Sequence, residues 1–313
     1  MRFMLVTVAS LLPVSAYGQV CDRACLTGIV DQYLTAMVGH DSSKAPLAAN
    51  ATHTENAARL SFKDGLWFTS TGLTDYKIYV ADPQGGAVAF IGVVTEHNAP
   101  PNPPRNVLLA LRLKVVNRRI TEAESIVVRN VGANNLANLT TPRPAIMETL
   151  APAERRSRAD LIRITNLYFD GIEKLTGDIV PFDVDCNRLE NGIRTAGPPL
   201  PVLAVAKQTG KGFPSQVCAD GFNSGVFAVI TAVRPRRVLV VDEEKGVTFG
   251  VYMFQHRGLT TVKMRDGSTK GAYFNGEPVT MPMAELFKIK DGRIRDVEAI
   301  GIRLPYGMGS GWE

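Results

Sequence analysis

The chain contains an internal repeat, and this feature constrains its fold more than any other. A segment that begins YLTAMV aligns without a gap with a segment that begins YFDGIE, 135 positions later. The identical pairs in this register are Tyr33 with Tyr168, Pro46 with Pro181, Glu55 with Glu190 and Asn56 with Asn191. Because an overlooked repeat would give the wrong fold, we interpret every other feature in terms of two copies.

Two further matches follow in the same order, with a growing offset. GLW at 65–67 aligns with GVF at 225–227, and LKVVNRRITEAESI from Leu113 aligns with FKIKDGRIRDVEAI from Phe287. Since the order is kept while the offset only increases, the sequence predicts two copies of one unit, the second with insertions. The main insertion, 196–216, is rich in Pro and Gly and predicts a long surface loop.

Each copy has the same predicted order of elements. An amphipathic helix comes first, because apolar residues recur at helical spacing. A strand, a short helix and two hairpins follow, with turn residues between the apolar runs. A helix followed by an antiparallel sheet predicts an α+β fold. At roughly 100 to 200 residues per domain, two domains are expected, 19–140 and 155–313, joined by a linker at 141–154.

Residues 1–18 have the pattern of a cleavable export signal. An early positive charge precedes a short apolar run, and small residues follow before a plausible cleavage point. Export favours two disulfides among the four cysteines. Local pairing would join Cys21 with Cys25 and Cys186 with Cys218, although spacing alone leaves all three connectivities open. We expect a secreted or periplasmic protein without membrane insertion, since later apolar runs are too short to span a bilayer.

Composition and motifs argue against several function classes. A net charge of +5 with scattered basic residues argues against nucleic-acid binding. The four histidines show no paired ligand spacing, so no metal is expected. The sequence has no nucleophile elbow and no dinucleotide-binding glycine motif, and we expect no cofactor. Two Asn-X-Thr sequons, at Asn50 and Asn138, would matter if a eukaryote exports the chain.

The order of elements resembles the nuclear transport factor 2-like, or SnoaL-like, superfamily. The residues that show this are the D.NR.EN strand after the first helix and the ELF.I.DGRI hairpin near the end of the unit. The resemblance covers nearly all of the mature chain. It implies two tandem cone-fold domains, each with N-terminal helices packed on a strongly bent antiparallel sheet around an apolar pocket. It also implies isomerase, dehydratase, epoxide-hydrolase or cyclase activity, or none, because fold alone does not determine function.

Strand parity indicates where acid/base chemistry could lie in the second copy. Side chains alternate with period two, so Arg188 and Glu190 share one face of their strand. An apolar environment would raise the pKa of the Glu190 carboxyl towards the working pH. Our hypothesis makes Glu190 the base and Arg188 its orienter or a substrate clamp. The alternative is an exposed ion pair, and a one-residue slip of register would turn both outward.

Three more residues of the second copy are candidates. Tyr252 and His256 share a face of the aromatic-rich strand FGVYMFQH, and Glu285 begins the apolar strand ELFKI. As the resemblance implies for cone-fold isomerases, they could donate hydrogen bonds to a developing oxyanion. A buried structural role is the alternative for each of them.

The first copy is poorer in candidates. In the positions of Arg188, Glu190, Tyr252 and Glu285 it has His53, Glu55, Gly92 and Leu111. The sequence therefore predicts that the second copy holds the working pocket. The first copy would complete an intramolecular pseudo-dimer by burying the outer face of its sheet, and a homo-oligomer is a further option.

The function that we predict is that of a cofactor-independent isomerase, lyase or cyclase. It would act by general acid/base chemistry on a hydrophobic small molecule, in secondary or aromatic metabolism. The alternatives are a secreted module that binds a lipid or small metabolite, and an interaction protein with filled cones. A pocket in which a buried carboxyl meets a donor would favour catalysis over both alternatives.

Overall fold

A computed structural model describes residues 21–197, 217–271 and 273–312. The predicted signal at 1–18 and nearly all of the predicted insertion at 196–216 lie outside the described residues. The helices are α1 (Arg23–Val38), α2 (Leu66–Thr69), α3 (Ala133–Ala137), α4 (Pro144–Met147), α5 (Arg158–Lys174) and α6 (Cys218–Asn223), with 3₁₀ turns at Ser42–Lys44, Pro152–Glu154, Val226–Val229 and Tyr273–Gly276. Across these three ranges, no helix has the length and apolar character needed to cross a membrane.

The strands fall into two large sheets with the same order. They are β1 (Leu47–Glu55), β2 (Ala58–Leu60), β3 (Ser70–Asp82), β4 (Ala87–Glu96), β5 (Arg105–Val116), β6 (Arg119–Val128), β7 (Phe182–Glu190), β8 (Ile193–Ala196), β9 (Ile230–Asp242), β10 (Val247–His256), β11 (Thr261–Lys263), β12 (Thr269–Gly271), β13 (Val279–Lys290), β14 (Arg293–Gly301) and β15 (Leu304–Pro305). One sheet runs β2-β1-β6-β5-β4-β3 and the other β8-β7-β14-β13-β10-β9, with β15 beside β13. In each, the pair β1 with β6 or β7 with β14 is parallel and the other pairs are antiparallel. The expected α+β class is therefore confirmed, with far more sheet than helix.

The long helix of each half packs on the inner face of its sheet. α1 follows Asp22, whose side chain accepts a hydrogen bond from the Cys25 N–H at 2.8 Å, and α5 follows Ser157, whose hydroxyl accepts one from the Asp160 N–H. These caps satisfy N–H groups that a first helical turn leaves free. The buried residues of the two helices include Leu26, Val30, Tyr33, Leu34 and Met37 in α1 and Leu161, Ile164, Tyr168, Phe169 and Ile172 in α5. Their spacing of three or four residues places them in one stripe that faces the sheet.

The outer faces of the two sheets pack against each other. The shared apolar core includes Ile78, Val80, Ala89 and Ile91 from the first half and Val240, Phe249, Val251 and Leu286 from the second. Arg23 binds Asp242 and Arg158 binds Asp82, each through two hydrogen bonds of 2.6 to 2.9 Å. Because equivalent residues of the two halves exchange partners, the contact has the reciprocal form of a two-fold interface.

The predicted linker is packed against the second half. Arg143 is buried, and its guanidinium binds Asp296 at 2.6 Å and Glu298 at 2.9 Å. Ile146 and Leu150 are buried as well. The segment predicted as a linker is therefore a structural part of the contact between the halves.

Two disulfides form among the described residues. Cys21 pairs with Cys25 and Cys186 with Cys218, with Cα atoms 5.2 Å and 5.9 Å apart. Of the three connectivities that the spacing left open, the structure has the local one. The second disulfide ties β7 to α6, and so holds α6 and the 3₁₀ turn after it beside the strand that contains Arg188.

Candidate active site

Four residues form one row across the second sheet. Gly250 of β10, Glu285 of β13, Ala299 of β14 and Glu190 of β7 are direct partners of one another in that order. Directly opposed residues point to the same face of a sheet, and here that face is the one covered by α5, since Ala299 packs in the same core as Tyr168. At about 4.8 Å per strand, the Cα atoms of the two acids lie roughly 10 Å apart. Between them stands only the small side chain of Ala299.

Glu285 lies in the middle of its strand, so the expectation that it begins a strand is wrong. β13 starts at Val279, because pairing with β10 continues through Pro282. Glu285 is 1% exposed. Burial raises the pKa of its carboxyl to about 8, against the opposing positive charge of Arg188. Its Oε2 has no hydrogen-bond partner among the described residues.

Two tyrosine hydroxyls share this environment. A Cβ on Gly250 would lie 2.5 Å from the Tyr252 hydroxyl. This distance shows that the Tyr252 side chain folds back over Gly250. That position is directly across the ladder from Glu285. Tyr168 reaches the same region from α5. Burial raises the pKa of both phenols, the Arg188 cation opposes the rise at Tyr168, and the proximity of Glu285 adds to the rise in each. Neither hydroxyl has a hydrogen-bond partner within the part of the chain that the structure describes.

Arg188 and Glu190 flank the two tyrosines and Glu285. The Arg188 guanidinium lies over the rings of Tyr168, at 5.8 Å, and Phe227, at 5.3 Å. It forms an ion pair with Glu190, whose side chain is 29% exposed. Arg188 therefore faces inward with its charge already balanced, and Glu190 lies at the edge of the site.

Aromatic side chains surround these polar groups. They are Phe169, Phe182, Phe222, Phe227, Phe254 and Phe287. The ring of Phe169 lies 4.1 Å from that of Tyr252, centroid to centroid. In such surroundings an unpaired polar group costs about 1–3 kcal/mol of stability. Native proteins rarely leave several such groups together, and a ligand-binding or catalytic role is one explanation for them.

His256 lies apart from the other candidates. It ends β10, opposite Val279 and Ile230, and its ring meets the edge of Phe274 at 5.2 Å. His256 lies six positions after Gly250, and six residues of a strand span about 20 Å. Burial lowers the pKa of His256 to about 4, so its imidazole is neutral at pH 7. The structure brings together Arg188, Glu190, Tyr252 and Glu285, but it does not bring His256 to them.

The first-half candidates are bound within the protein. His53 stacks on Phe62 at 5.2 Å, and burial lowers the pKa of its imidazole. The Glu55 carboxylate accepts the Leu66 N–H at 2.7 Å and pairs with Arg129 at 2.8 Å. Within the described ranges, no group of three or more His, Cys, Asp or Glu residues could hold a metal ion.

Sequence reasoning missed Tyr168 as a member of the site. The sequence pattern predicts Tyr168 only as one of the residues at helical spacing in an apolar stripe. The repeat contained a signal, because Tyr33 aligns with Tyr168 while Trp67 aligns with Phe227. In the first half, Trp67 Nε1 donates to the Tyr33 hydroxyl at 2.9 Å. Phenylalanine has no N–H, so Tyr168 has no such donor.

Comparisons with known proteins give one family match and partial likenesses to solved structures. A family model described as Domain of unknown function (DUF8021) matches residues 19–127 and 154–301. A candidate polyketide cyclase from Xanthomonas campestris pv. campestris is 18% identical, with a TM-score of 0.29 over 33% of this chain and 90% of that one. A candidate SnoaL-like polyketide cyclase from Shewanella putrefaciens is 16% identical, with a TM-score of 0.27 over 39% and 92%.

A third solved structure shows the same kind of likeness. It is a protein with a ketosteroid isomerase-like fold from Catenulispora acidiphila in complex with trimethylamine, 16% identical, with a TM-score of 0.26 over 36% of this chain and 93% of that one. Each likeness thus covers about a third of this chain, from 33% to 39%. No curated protein matches the sequence.

Proposed function

This chain belongs to the family described as Domain of unknown function (DUF8021), and we propose a function for it from the site in its second half. It is an exported, cofactor-independent enzyme that moves protons on a hydrophobic small molecule with a carbonyl or hydroxyl group. Isomerisation, elimination and cyclisation are the reactions that such a site serves. The supporting observation is one buried carboxyl beside two buried hydroxyls, Glu285, Tyr168 and Tyr252, none of which is fully satisfied by the described residues.

The architecture assigned with this function is a tandem of two cone-fold domains, 19–140 and 155–313. Two sheets with the same strand order support it, as does a family match that falls into two ranges. The second domain holds the reaction site, and the first supports it through the shared apolar core between the sheets.

Glu285 is the acidic member of the site. With a pKa of about 8, its carboxyl is mainly protonated at pH 7 and can donate a hydrogen bond or a proton. Tyr168 and Tyr252 remain protonated because burial raises the pKa of each phenol. Three O–H donors in water-poor aromatic surroundings stabilise negative charge that develops on a substrate oxygen.

Glu190 is the proton acceptor, and Arg188 orients it. The two carboxyls have different environments, since Glu285 lies among aromatic rings while Glu190 pairs with a cation. Two carboxyls in different environments can take different roles, one as acid and the other as base. Ala299, the small residue between them in the row, marks the position where a substrate would have to meet both.

A variant comparison tests this function. Wild-type protein is screened against cyclic enones, β-hydroxy ketones and poly-β-ketones, and products are followed by mass and absorbance. We expect turnover of at least one class, and a 10²- to 10⁴-fold loss of kcat/KM in Glu285→Gln and in Glu190→Gln. Glu277→Gln is the matched control, because the Glu277 side chain is 68% exposed. Equal activity of Glu285→Gln and Glu277→Gln would contradict the proposal.

A secreted binding module is the second candidate function. The balanced pair of Arg188 and Glu190 favours it, since a site without net charge at pH 7 suits a neutral apolar ligand. In that case the same compounds bind saturably without turnover. Glu285→Gln would then alter affinity by less than about tenfold, because a glutamine keeps one donor and one acceptor.

A further inference from the structure

The two sequons lie in different structural surroundings. Asn50 lies within β1, while Asn138 directly follows α3. An N-linked glycan is bulky and hydrated, so a folded protein can hold one only where the asparagine side chain is at the surface. The surroundings of the two asparagines therefore decide which of them is compatible with a glycan.

Asn50 lies on an irregular, outward part of its strand. β1 pairs with β6 at Leu47 and next at Thr52, and the register shifts between these two residues. On its other side, β1 pairs with β2 only at 53–55. The Asn50 side chain is exposed. A bulge of this kind bends a strand away from its partner, and here it presents the sequon to solvent.

Asn138 is enclosed between the two halves of the chain. It is 7% exposed, and its Nδ2 donates a hydrogen bond to the Gly192 carbonyl at 2.8 Å. Leu139, the middle residue of the sequon, is also buried. A glycan on this nitrogen would displace the turn after β7, so a chain modified there could not close the contact with Gly192.

We infer that the chain, when a eukaryote exports it, bears one N-linked glycan, on Asn50. The inference rests on the export that is part of the proposed function. In the reaction, Asn50 Nδ2 bonds to the anomeric carbon of an oligosaccharide, and the bond from that carbon to the pyrophosphate of a lipid-linked donor breaks. The amide loses one proton, which is taken up with the pyrophosphate released.

The position of Asn50 gives the glycan a physical role. β2 is the edge strand of the first sheet and has only three residues, Ala58–Leu60. An exposed strand edge can pair with another chain and so promote aggregation. A hydrated glycan on the neighbouring strand β1 shields this edge.

The test expresses the full chain in a yeast secretory host in two forms. One form keeps its own N-terminus, and in the other a host leader replaces residues 1–18. Secreted protein is treated with peptide-N-glycosidase F in ¹⁸O-labelled water, which converts each glycosylated asparagine to labelled aspartate. Peptide mass spectrometry then locates the label. Asn50→Gln is the test variant and Asn138→Gln is its matched control.

We expect the label on Asn50 alone, and a glycan-free but folded Asn50→Gln protein by circular dichroism. A secreted wild-type protein with its label on Asn138, or with no label, would overturn the inference. Secretion of only the form with the host leader would contradict export by residues 1–18. The form with the host leader would still show whether Asn50 is glycosylated. Failure of the glycan inference is therefore distinguishable from failure of export by residues 1–18.

Discussion

The two halves of the chain place different side chains at equivalent positions of equivalent sheets. The row in the second half is Gly250, Glu285, Ala299 and Glu190, and the row in the first half is Phe90, Leu111, Ser125 and Glu55. Each residue has a direct counterpart in strand and register. The chemistry of the halves therefore differs through side chains alone, on one shared topology.

In the first half, the polar groups equivalent to this cluster have partners. Trp67 Nε1 donates to the Tyr33 hydroxyl at 2.9 Å. Glu55 accepts the Leu66 N–H at 2.7 Å and pairs with Arg129 at 2.8 Å. This is the ordinary state of a stable core, in which buried polar atoms are hydrogen-bonded.

In the second half, an aromatic residue and a glycine have exchanged positions. In the first half, Phe90 lies over Gly92, where an added Cβ would meet the Phe90 ring at 2.3 Å. In the second half, Tyr252 lies over Gly250, with its hydroxyl 2.5 Å from such a Cβ. The exchange brings a hydroxyl beside Glu285. The comparison teaches that the second half leaves buried polar groups of this cluster unpaired, at a cost in stability.

The largest effect should come from moving the acid between the halves. Leu111→Glu buries a carboxyl in a core whose polar groups are already paired, and we expect a loss of about 3–5 kcal/mol of unfolding free energy. Glu285→Leu removes an unpaired carboxyl and should add about 1–3 kcal/mol at pH 7 while abolishing activity. Urea unfolding measures both, with Leu111→Met as the size control. A destabilised Glu285→Leu protein would show that the second core is as well paired as the first.

The second prediction concerns the aromatic partner of each helix tyrosine. Trp67→Phe leaves the Tyr33 hydroxyl without its donor and removes buried ring atoms, so we expect a loss of about 2 kcal/mol. Because the site lies in the other half, activity of the folded variant should be unchanged. Thermal unfolding and a turnover assay measure the two effects. Phe227→Trp is the counterpart, and it should lower activity by giving Tyr168 a donor.

The third prediction uses the pH dependence of stability. The folded pKa of Glu285, about 8, is above its unfolded value near 4.5, so the folded state binds the extra proton between these limits. Stability from this group is therefore full below about pH 4.5 and is lost as pH rises through 8. His256, with a folded pKa of about 4, has the opposite sign but acts only below pH 6.5.

The pH range in which Glu285 affects stability without a contribution from His256 is therefore 6.5 to 8. Over it, the wild type should lose about 1.5 kcal/mol relative to Glu285→Gln. The variant difference removes the contributions of the other buried acids, such as Glu298, which are common to both proteins. Parallel stability curves for the two proteins would place the pKa of Glu285 near its ordinary value and remove the contrast between the two halves.

Much of the site could be predicted because it depends on local rules. Strand parity placed Arg188 and Glu190 on one face, and the aromatic pattern of β10 identified Tyr252. The row itself could not be predicted, since it needs the parallel pairing of β7 with β14. That register shifts between Ile294 and Asp296, and no local pattern encodes the shift.

His256 shows the limit of the same rules. The alternation of side chains along β10 places His256 on the same face as Tyr252. It could not predict the distance from His256 to Glu285, which depends on where β13 pairs with β10. Tyr168 shows a different limit. Its apolar ring favours a place in the core, whereas its hydroxyl favours a polar site, so the residue type alone does not decide between the two. Only the comparison of Trp67 with Phe227 between the copies could have pointed to its free hydroxyl.

The smallest effect should distinguish the two helix tyrosines. Tyr33→Phe removes a hydroxyl that accepts from Trp67, and we expect a loss of about 1 kcal/mol, because the indole N–H is then buried without a partner. Tyr168→Phe removes a hydroxyl that lacks a partner among the described residues, so stability should stay the same or rise by about 0.5 kcal/mol. Parallel urea titrations of the two variants measure the difference. Equal losses would mean that Tyr168 is as well bonded as Tyr33, and the contrast between a paired core and an unpaired site would then rest on Glu285 and Tyr252 alone.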